Sequence, residues 1–563
     1  MRRHTLGLLL VAIGAVAMTT AAAFAAGGNG GFKTDAAAML DGRNGWTAEA
    51  IISVGDTLGS GYTFEAIPDG IAVERINGKG TADILVNHEL SKVPFPSTRQ
   101  DHLNSTISKL RLHQKSAGVL KGEYVIPQSA GYQRFCSNFL VGAEHGFERE
   151  LLLTNEEARD IVLRQEDSWH GPSPPGVLLT EPGAEQAGVV VAYDVKSGAY
   201  KSIHGMGRHN HENSVGIPGY GYPVVLSGDD TFDAPASQLY LYKAASGADV
   251  WNDRGKLYAF VANDPAINDY GDVTEGMGPI PGRFIEVPRE IATGKDADDG
   301  SEVTSADFGY PLPSASPTTT PPYPKPATAG MPDGPQWVLE HWSNENNVFQ
   351  FIRVEDIAYD RRPGMSKVVY LADTGEPRAK PSAIAGWTRL ERSSSGGGPH
   401  MNGRIFKLTL GSNPLEGATL DILPGANFDE LGYNNTLAVH QPDNIETTAE
   451  GLYIQEDTGS HNGQSAAFPG ATNARIWRYP FATGVEQVIA EVNQAIPGAP
   501  TTLNRGAWES SGIVDASAVF GPGAFLVDVQ AHGWDTEIPG GNDPPAIQKR
   551  ENGQLLLLRA PGS

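Results

Sequence analysis

The sequence predicts an all-β chain folded as a six-bladed β-propeller with loop insertions. Three observations predict it. An apolar run ending in an acidic or amide cluster recurs six times, a short alternating strand follows it, and a strand carrying an unexpectedly polar residue precedes it. In a propeller, repeated sheets surround a channel and their innermost strands line it, so polar groups at one place in every repeat converge on one axis.

The first unit reads Pro68-Asp69-Gly70-Ile71-Ala72-Val73, then Ile84-Leu85-Val86-Asn87-His88-Glu89, then Ser108-Lys109-Leu110-Arg111-Leu112. The second has Arg134-Phe135-Cys136-Ser137-Asn138-Phe139-Leu140 ahead of Leu151-Leu152-Leu153 and Asn155-Glu156-Glu157. In the third, Arg208-His209-Asn210-His211-Glu212-Asn213-Ser214-Val215 precedes Val224-Val225-Leu226 and Asp229-Asp230, with Gln238-Leu239-Tyr240-Leu241-Tyr242 behind. The fourth pairs Arg353-Val354-Glu355-Asp356-Ile357-Ala358-Tyr359 with Val368-Val369-Tyr370-Leu371 and Asp373, then Arg404-Ile405-Phe406-Lys407-Leu408. Pro442-Asp443-Asn444-Ile445 with Leu452-Tyr453-Ile454 and Glu456-Asp457 makes the fifth. Trp508-Glu509-Ser510-Ser511-Gly512-Ile513-Val514 with Phe525-Leu526-Val527 and Asp528, Gln530 and His532 makes the sixth. Within each unit the polar strand and the acid-ended strand are close enough for one antiparallel hairpin. A single acid at a strand end makes a turn; six at the same place make a ring of oxygen donors.

Between the units lie insertions: a Pro/Ser/Thr-rich excursion at about 310–337, a Ser/Gly stretch at 393–399 and a Pro/Gly loop at 168–176. The helix candidates are 34–40 and 383–390. At the N-terminus, Arg2-Arg3, an apolar stretch from Leu6 to Met18 and the small-residue end Ala23-Phe24-Ala25 predict an export signal over 1–25. Both the general secretory and the twin-arginine routes are compatible with it. That leaves 26–563 as a single propeller domain, expected to be a monomer, exported to the periplasm or the extracellular space. No later segment has the roughly 18 uninterrupted apolar residues of a membrane span.

The formal net charge of −24 opposes binding to nucleic acid or to anionic lipid. Cys136 is the sole cysteine, so no intramolecular disulfide forms and stability has to come from a large core, bound metal, or both. The converging acids supply the donor type that calcium takes, whereas a thiolate with imidazole and carboxylate nearby suits a softer, redox-active metal such as iron. His88, His209 and His211 lie next to Glu89 and Glu212, so both metal classes are open on chemistry alone. Zinc-site spacings, a Gly-x-Ser-x-Gly elbow and a phosphate-binding Gly-x-x-x-x-Gly-Lys-Ser/Thr loop are missing. The economical mechanism is a metal-activated oxygen nucleophile.

The ordered set Asn87-His88-Glu89, Cys136, Asn155-Glu156-Glu157, Arg208-His209-Asn210-His211-Glu212, Ser227-Gly228-Asp229-Asp230 with Leu239-Tyr240-Leu241-Tyr242-Lys243, Gly255-Lys256-Leu257-Tyr258, Arg353-Val354-Glu355, Pro442-Asp443-Asn444, Glu509-Ser510-Ser511-Gly512 and Val529-Gln530-Ala531-His532 resembles the PhoX family of secreted alkaline phosphatases. The resemblance implies a six-bladed propeller with ferric iron and calcium at the channel bottom, cleaving small phosphate monoesters. It implies Cys136, Glu212 and Glu355 as iron ligands, and Glu89, Glu157, Asp443 and Glu509 as calcium or bridging ligands. Arg353 and Asn87 are implied to hold the substrate phosphate, a role suited to the planar donor fork of arginine. The chain departs from the family pattern at Ser137-Asn138-Phe139-Leu140, at Asn155 and at His209, all beside the implied ligands. The competing readings are a calcium-dependent propeller hydrolase of other specificity, phytase-like or lactonase, and a non-catalytic calcium-stabilised binding propeller.

Overall fold

The computed structural model describes residues 30–90, 104–164, 179, 182–230, 237–312, 332–375, 402–431, 435–458, 472–543 and 546–563, with the side chains of 537–549 left aside. The expected signal segment 1–25, the helix at 383–390 and the loops at 168–176 and 393–399 lie outside these residues, as does 313–331 of the Pro-rich insertion.

The architecture is all-β and propeller-like. The acid-ended runs form the strands Thr81–His88, Leu151–Glu156, Val224–Asp229, Val368–Asp373, Gly451–Glu456 and Ala524–Asp543. Each pairs antiparallel with the polar strand before it: Pro68–Asn77, Phe135–Val141, His211–Gly216, Val354–Tyr359, Pro442–Thr447 and Glu509–Asp515. These six polar strands are edge strands of their sheets. Three sheets have four strands, one has five, and a nine-stranded sheet has a polar strand at each end because Ile280–Glu286 pairs with Ala418–Asn427.

The acid-ended strands are apolar on both faces because each is sandwiched between two cores. Ile84 and Val86 enter one core and Leu85 the next; Leu151 and Leu153 part from Leu152, Val224 and Leu226 from Val225, and Val369 and Leu371 from Val368 and Tyr370. Tyr453 parts likewise from Leu452 and Ile454, and Leu526 from Phe525 and Val527. Neighbouring sheets, and the two halves of the nine-stranded one, thus share one core each, and a core holding Ile71, Ile84 and Leu110 with Leu526, Leu555 and Leu557 joins the last sheet to the first. The N-terminal strand Thr47–Ser53 adds to the last sheet by pairing with Ala546–Arg559, and Leu40–Gly42 adds to the one before it.

Residues 34–40 are not helical, contrary to the alanine run. Met39 donates its N–H to the Gln554 side chain and accepts from the Asn493 N–H, while Leu40 begins the short strand, so tertiary pairing overrides helix propensity. The end of the Pro-rich insertion is not extended either. A helix runs over Pro335–Glu345, with Pro335 in the first turn, where its missing N–H costs nothing, and buried Trp337 donating to the Pro311 carbonyl.

Candidate metal centre

Every polar strand carries a register irregularity near its start: Pro68/Ile71, Phe135/Asn138, His211/Ser214, Val354/Asp356, Pro442/Ile445 and Ser511/Ile513. A bulge leaves residues unpaired and turns their side chains out of the regular pleat. The residues lifted out include Asp69, Cys136, Glu212, Glu355 and Asp443, while Glu509 opens its strand just ahead of the last bulge. Three of these strands are entered through a non-glycine residue in the left-handed region, namely Ile67, Arg134 and Gln441 with φ of 50°, 43° and 53°. Such geometry costs about 1–3 kcal/mol per residue, most for the β-branched Ile67. It is held by the neighbouring strand: the N–H groups of Glu89, Glu157 and Asp457 donate to the carbonyls of Ile67, Arg134 and Gln441 at 2.8, 3.0 and 3.1 Å.

Paired acids at the strand ends divide their work because successive side chains point to opposite faces. The first of each pair is scaffold. Glu156 accepts from the Gln133 N–H and holds Arg164 in a two-pronged pair at 2.7 and 2.9 Å. Glu456 does the same with the His440 N–H, Arg475 and the Trp477 indole, and Asp373 accepts from the N–H groups of Ile352 and Arg353. The second acid, as in Glu157 and Asp457, faces the ring.

Four overlapping groups of ligand atoms result, each with its members within 4.8 Å of one another: Asp69, Glu89 and Cys136; Cys136, Glu157 and Glu212; Glu212, Glu355 and Asp443; and Asp443, Asp457 and Glu509. Shared members join them into one chain. All seven ligands expected from the sequence are in it, together with two that the sequence reading passed over, Asp69 and Asp457. Their signal was positional: Asp69 stands in its strand where Cys136 and Glu212 stand in theirs, and Asp457 follows Glu456 as Glu157 follows Glu156.

The other expected participants fall elsewhere. Asn87 is fully buried behind Cys136, its amide donating to the Cys136 and Ser137 carbonyls and to Thr154 Oγ1, and its oxygen accepting from Asn138. His88 bonds the Glu65 carbonyl and Ser108; His211 bonds Ser227 and the Gly207 carbonyl, and His209 stacks on His211 and Tyr240. None of the three histidines enters a ligand group among the described residues. Arg353 does reach the ring. Asp230 grips its guanidinium through Nε and Nη2 at 2.7 and 2.8 Å, and it forms an ion pair with Glu355.

Burial and mutual repulsion hold these acids protonated when no cation is present. Burial, then the charge of Asp69, lifts Glu89 to about 7; burial, then Asp457, lifts Glu509 to about 8. Glu157, Glu212 and Asp443 are pushed well above the ordinary carboxyl range by burial and by neighbouring carboxylates. Glu355 is raised by burial against the pull of Arg353, and the Cys136 thiol by burial and Asp69. The donor set suits cations. Asp69 Oδ1 and Glu212 Oε2 are buried without a hydrogen-bond partner among the described residues, and the Cys136 thiol donates to Asp69 at 3.1 Å in the place a metal would take. Carboxylate oxygens fit a hard cation at Asp443, Asp457 and Glu509, and the sulfur admits a softer one at Cys136.

Beyond the ring lies a hydrogen-bonded polar layer. Ser137 donates to Glu212 at 3.0 Å, Asn444 to Ser137 and Ser511 to Asn444, both at 3.1 Å, and Asn213 donates to Asp356. On its far side is a cavity of about 270 Å³ lined by Phe139, His145, Tyr359, Arg361, Glu446 and Asp515 but by none of the ring ligands.

No family model and no curated protein matches this sequence. The chain path is similar to that of Pseudomonas fluorescens PhoX in complex with vanadate, a transition state analogue. That similarity has a TM-score of 0.58 at 15% identity, covering 94% of this chain and 98% of that one. It establishes a PhoX-like fold. The NanB sialidase from Streptococcus pneumoniae is a more remote match, with a TM-score of 0.34 at 6% identity over 88% of this chain and 68% of that one. Among the described residues, no helix is long and apolar enough to cross a membrane.

Proposed function

We propose that this chain is an exported, monomeric, six-bladed propeller phosphatase that hydrolyses small phosphate monoesters at an iron and calcium centre. The carrying observation is the chain of four ligand groups that places one thiol among carboxylates beside the guanidinium of Arg353. Cys136, Glu212 and Glu355 would hold iron; Glu89, Glu157, Asp443 and Glu509, with Asp69 and Asp457, would hold calcium. When bound, such cations supply electrostatic stabilisation of charge on the phosphoryl oxygens.

The protein's own contribution is order. Asp230 fixes the plane of Arg353, so a substrate phosphate meets a cation already oriented and little side-chain freedom is lost on binding. Asn87 serves behind the ring by holding the Cys136 and Ser137 carbonyls, which sets the direction of the thiol. Ser137 and Gln530 donate to Glu212 and Asp69 and so aim their remaining oxygens.

Purified protein is expected to release phosphate from an aryl phosphate at alkaline pH, to lose that activity on calcium chelation and to regain it when calcium is restored. Absence of turnover on every phosphate ester by folded, metal-replete protein overturns the proposal.

A further inference from the structure

Where the last sheet meets the first, the strand Ala524–Asp543 runs along the joining core and passes beside the ring at Gln530 and His532. Leu526 packs in that core with Ile71 and Leu555. Two residues on, and therefore on the same face, is Asp528. It is fully buried, opposite Ser511 on one side and Leu555 on the other, and neither of its carboxylate oxygens has a hydrogen-bond partner among the described residues. A buried carboxylate in that condition is uncompensated unless a cation or a proton neutralises it.

Its neighbours decide between the two. Two further residues on, again on the same face, Gln530 donates its amide to Asp69 Oδ2 at 3.0 Å and to Glu89 Oε2 at 3.5 Å. Those two carboxylates fix the amide orientation and leave Gln530 Oε1 as a buried acceptor without a partner among the described residues. Asp69 Oδ1 is in the same state, and the charge of Asp69 is felt at Asp528. Among the described residues, both Asp528 oxygens, Gln530 Oε1 and Asp69 Oδ1 are therefore acceptors lacking donors. A proton on Asp528 turns one oxygen into a donor for one neighbouring acceptor and leaves two acceptors bare; a hard cation held between them would serve them together, and oxygen ligands alone are what calcium takes.

We propose that Asp528 and Gln530, sharing Asp69 with the ring, form a further calcium site at the seam between the first and last sheets. Asp528 belongs to none of the four ligand groups, and the site fastens the ring whatever reaction the ring performs. The ion bridges strands from opposite ends of the chain, so its binding energy goes into closure.

The test is Asp528→Asn, which preserves shape and removes the charge. Elemental analysis of protein dialysed against calcium buffer is expected to show one calcium per chain fewer than wild type, with a lower Tm and a smaller rise in Tm on adding calcium. Full calcium content with an equal or higher Tm overturns the proposal, because relief of a merely protonated buried acid is neutral or stabilising. Asp528→Leu sharpens the contrast: a calcium site predicts loss of the ion and of stability, an idle buried acid predicts a gain. Should neither variant fold, crystals of the wild-type protein loaded with manganese are to show an anomalous peak in coordination distance of Asp528. Peaks elsewhere in the ring and none at Asp528 refute the site.

Discussion

Stripping the metal while raising the pH is the sharpest perturbation of the ring. With cations present the acids are ionised and paired; without them, Glu89 titrates at about 7 and Glu509 at about 8 in place of about 4.5. A carboxyl whose pKa is raised by folding keeps its contribution to stability below the unfolded value and loses it as pH rises through the folded value. The metal-free protein is thus most stable near pH 4.5 and weakens between pH 5 and 9. At about 1.4 kcal/mol per pKa unit, Glu509 accounts for about 5 kcal/mol and Glu89 for about 3 kcal/mol. With an unfolding entropy of about 2.1 cal/mol/K per residue over a chain of 563 residues, about 8 kcal/mol corresponds to a fall in Tm of about 7 °C. Scanning calorimetry of chelated and metal-loaded protein at pH 5, 7 and 9 measures it. The loaded protein should hold or gain stability over that range, since metal competes with protons for the same oxygens. A chelated protein whose Tm is flat from pH 5 to 9 refutes the crowded-acid account.

Cys136→Ser is expected to remove bound iron and leave most of the calcium, as elemental analysis would show; unchanged iron contradicts the role of the thiol. Arg353→Lys replaces a fork held at two points by Asp230 with a point charge, and kcat/KM on an aryl phosphate should fall about 10-fold to 100-fold with metal content intact. Glu456→Gln leaves the buried Arg475 without its carboxylate and should destabilise by about 3–5 kcal/mol in denaturant unfolding. Leu526→Ala, in the core shared by the last and first sheets, should cost about 2–5 kcal/mol.

The apolar strands and the acids that end them were readable because a strand between two cores needs no alternation, and Leu151-Leu152-Leu153 or Val224-Val225-Leu226 advertises that setting. The seven residues that the resemblance implies as ligands stand at fixed places before or after such runs, and the fold gathers them into the four groups. What hid Asp69 was the bulge at Pro68/Ile71, which changes which residues face the channel without changing the sequence pattern, and Asp457 was hidden by its place just past a strand end, where an acid reads as a turn residue. Division of labour within Glu156-Glu157 and Glu456-Asp457 was equally hidden, since both members are acids and only the pleat separates them. The histidines show the converse: His88 and His211 sit next to Glu89 and Glu212 in sequence, and the same pleat turns them into the sheets to bond Ser108 and Ser227. The helix Pro335–Glu345 escaped notice because its first residue reads as the last proline of a Pro-rich excursion.

Pairing of Thr47–Ser53 with Ala546–Arg559 has a consequence for biogenesis. The ring draws Asp69 and Glu89 from near the start of the chain and Glu509 from near its end, so a partly synthesised chain holds only fragments of the site. Contacts this remote in sequence form slowly, after the local hairpins. Metal selection at such a ring would therefore be deferred until the terminal strand has docked, and would draw on the ions of the compartment in which the chain finishes folding.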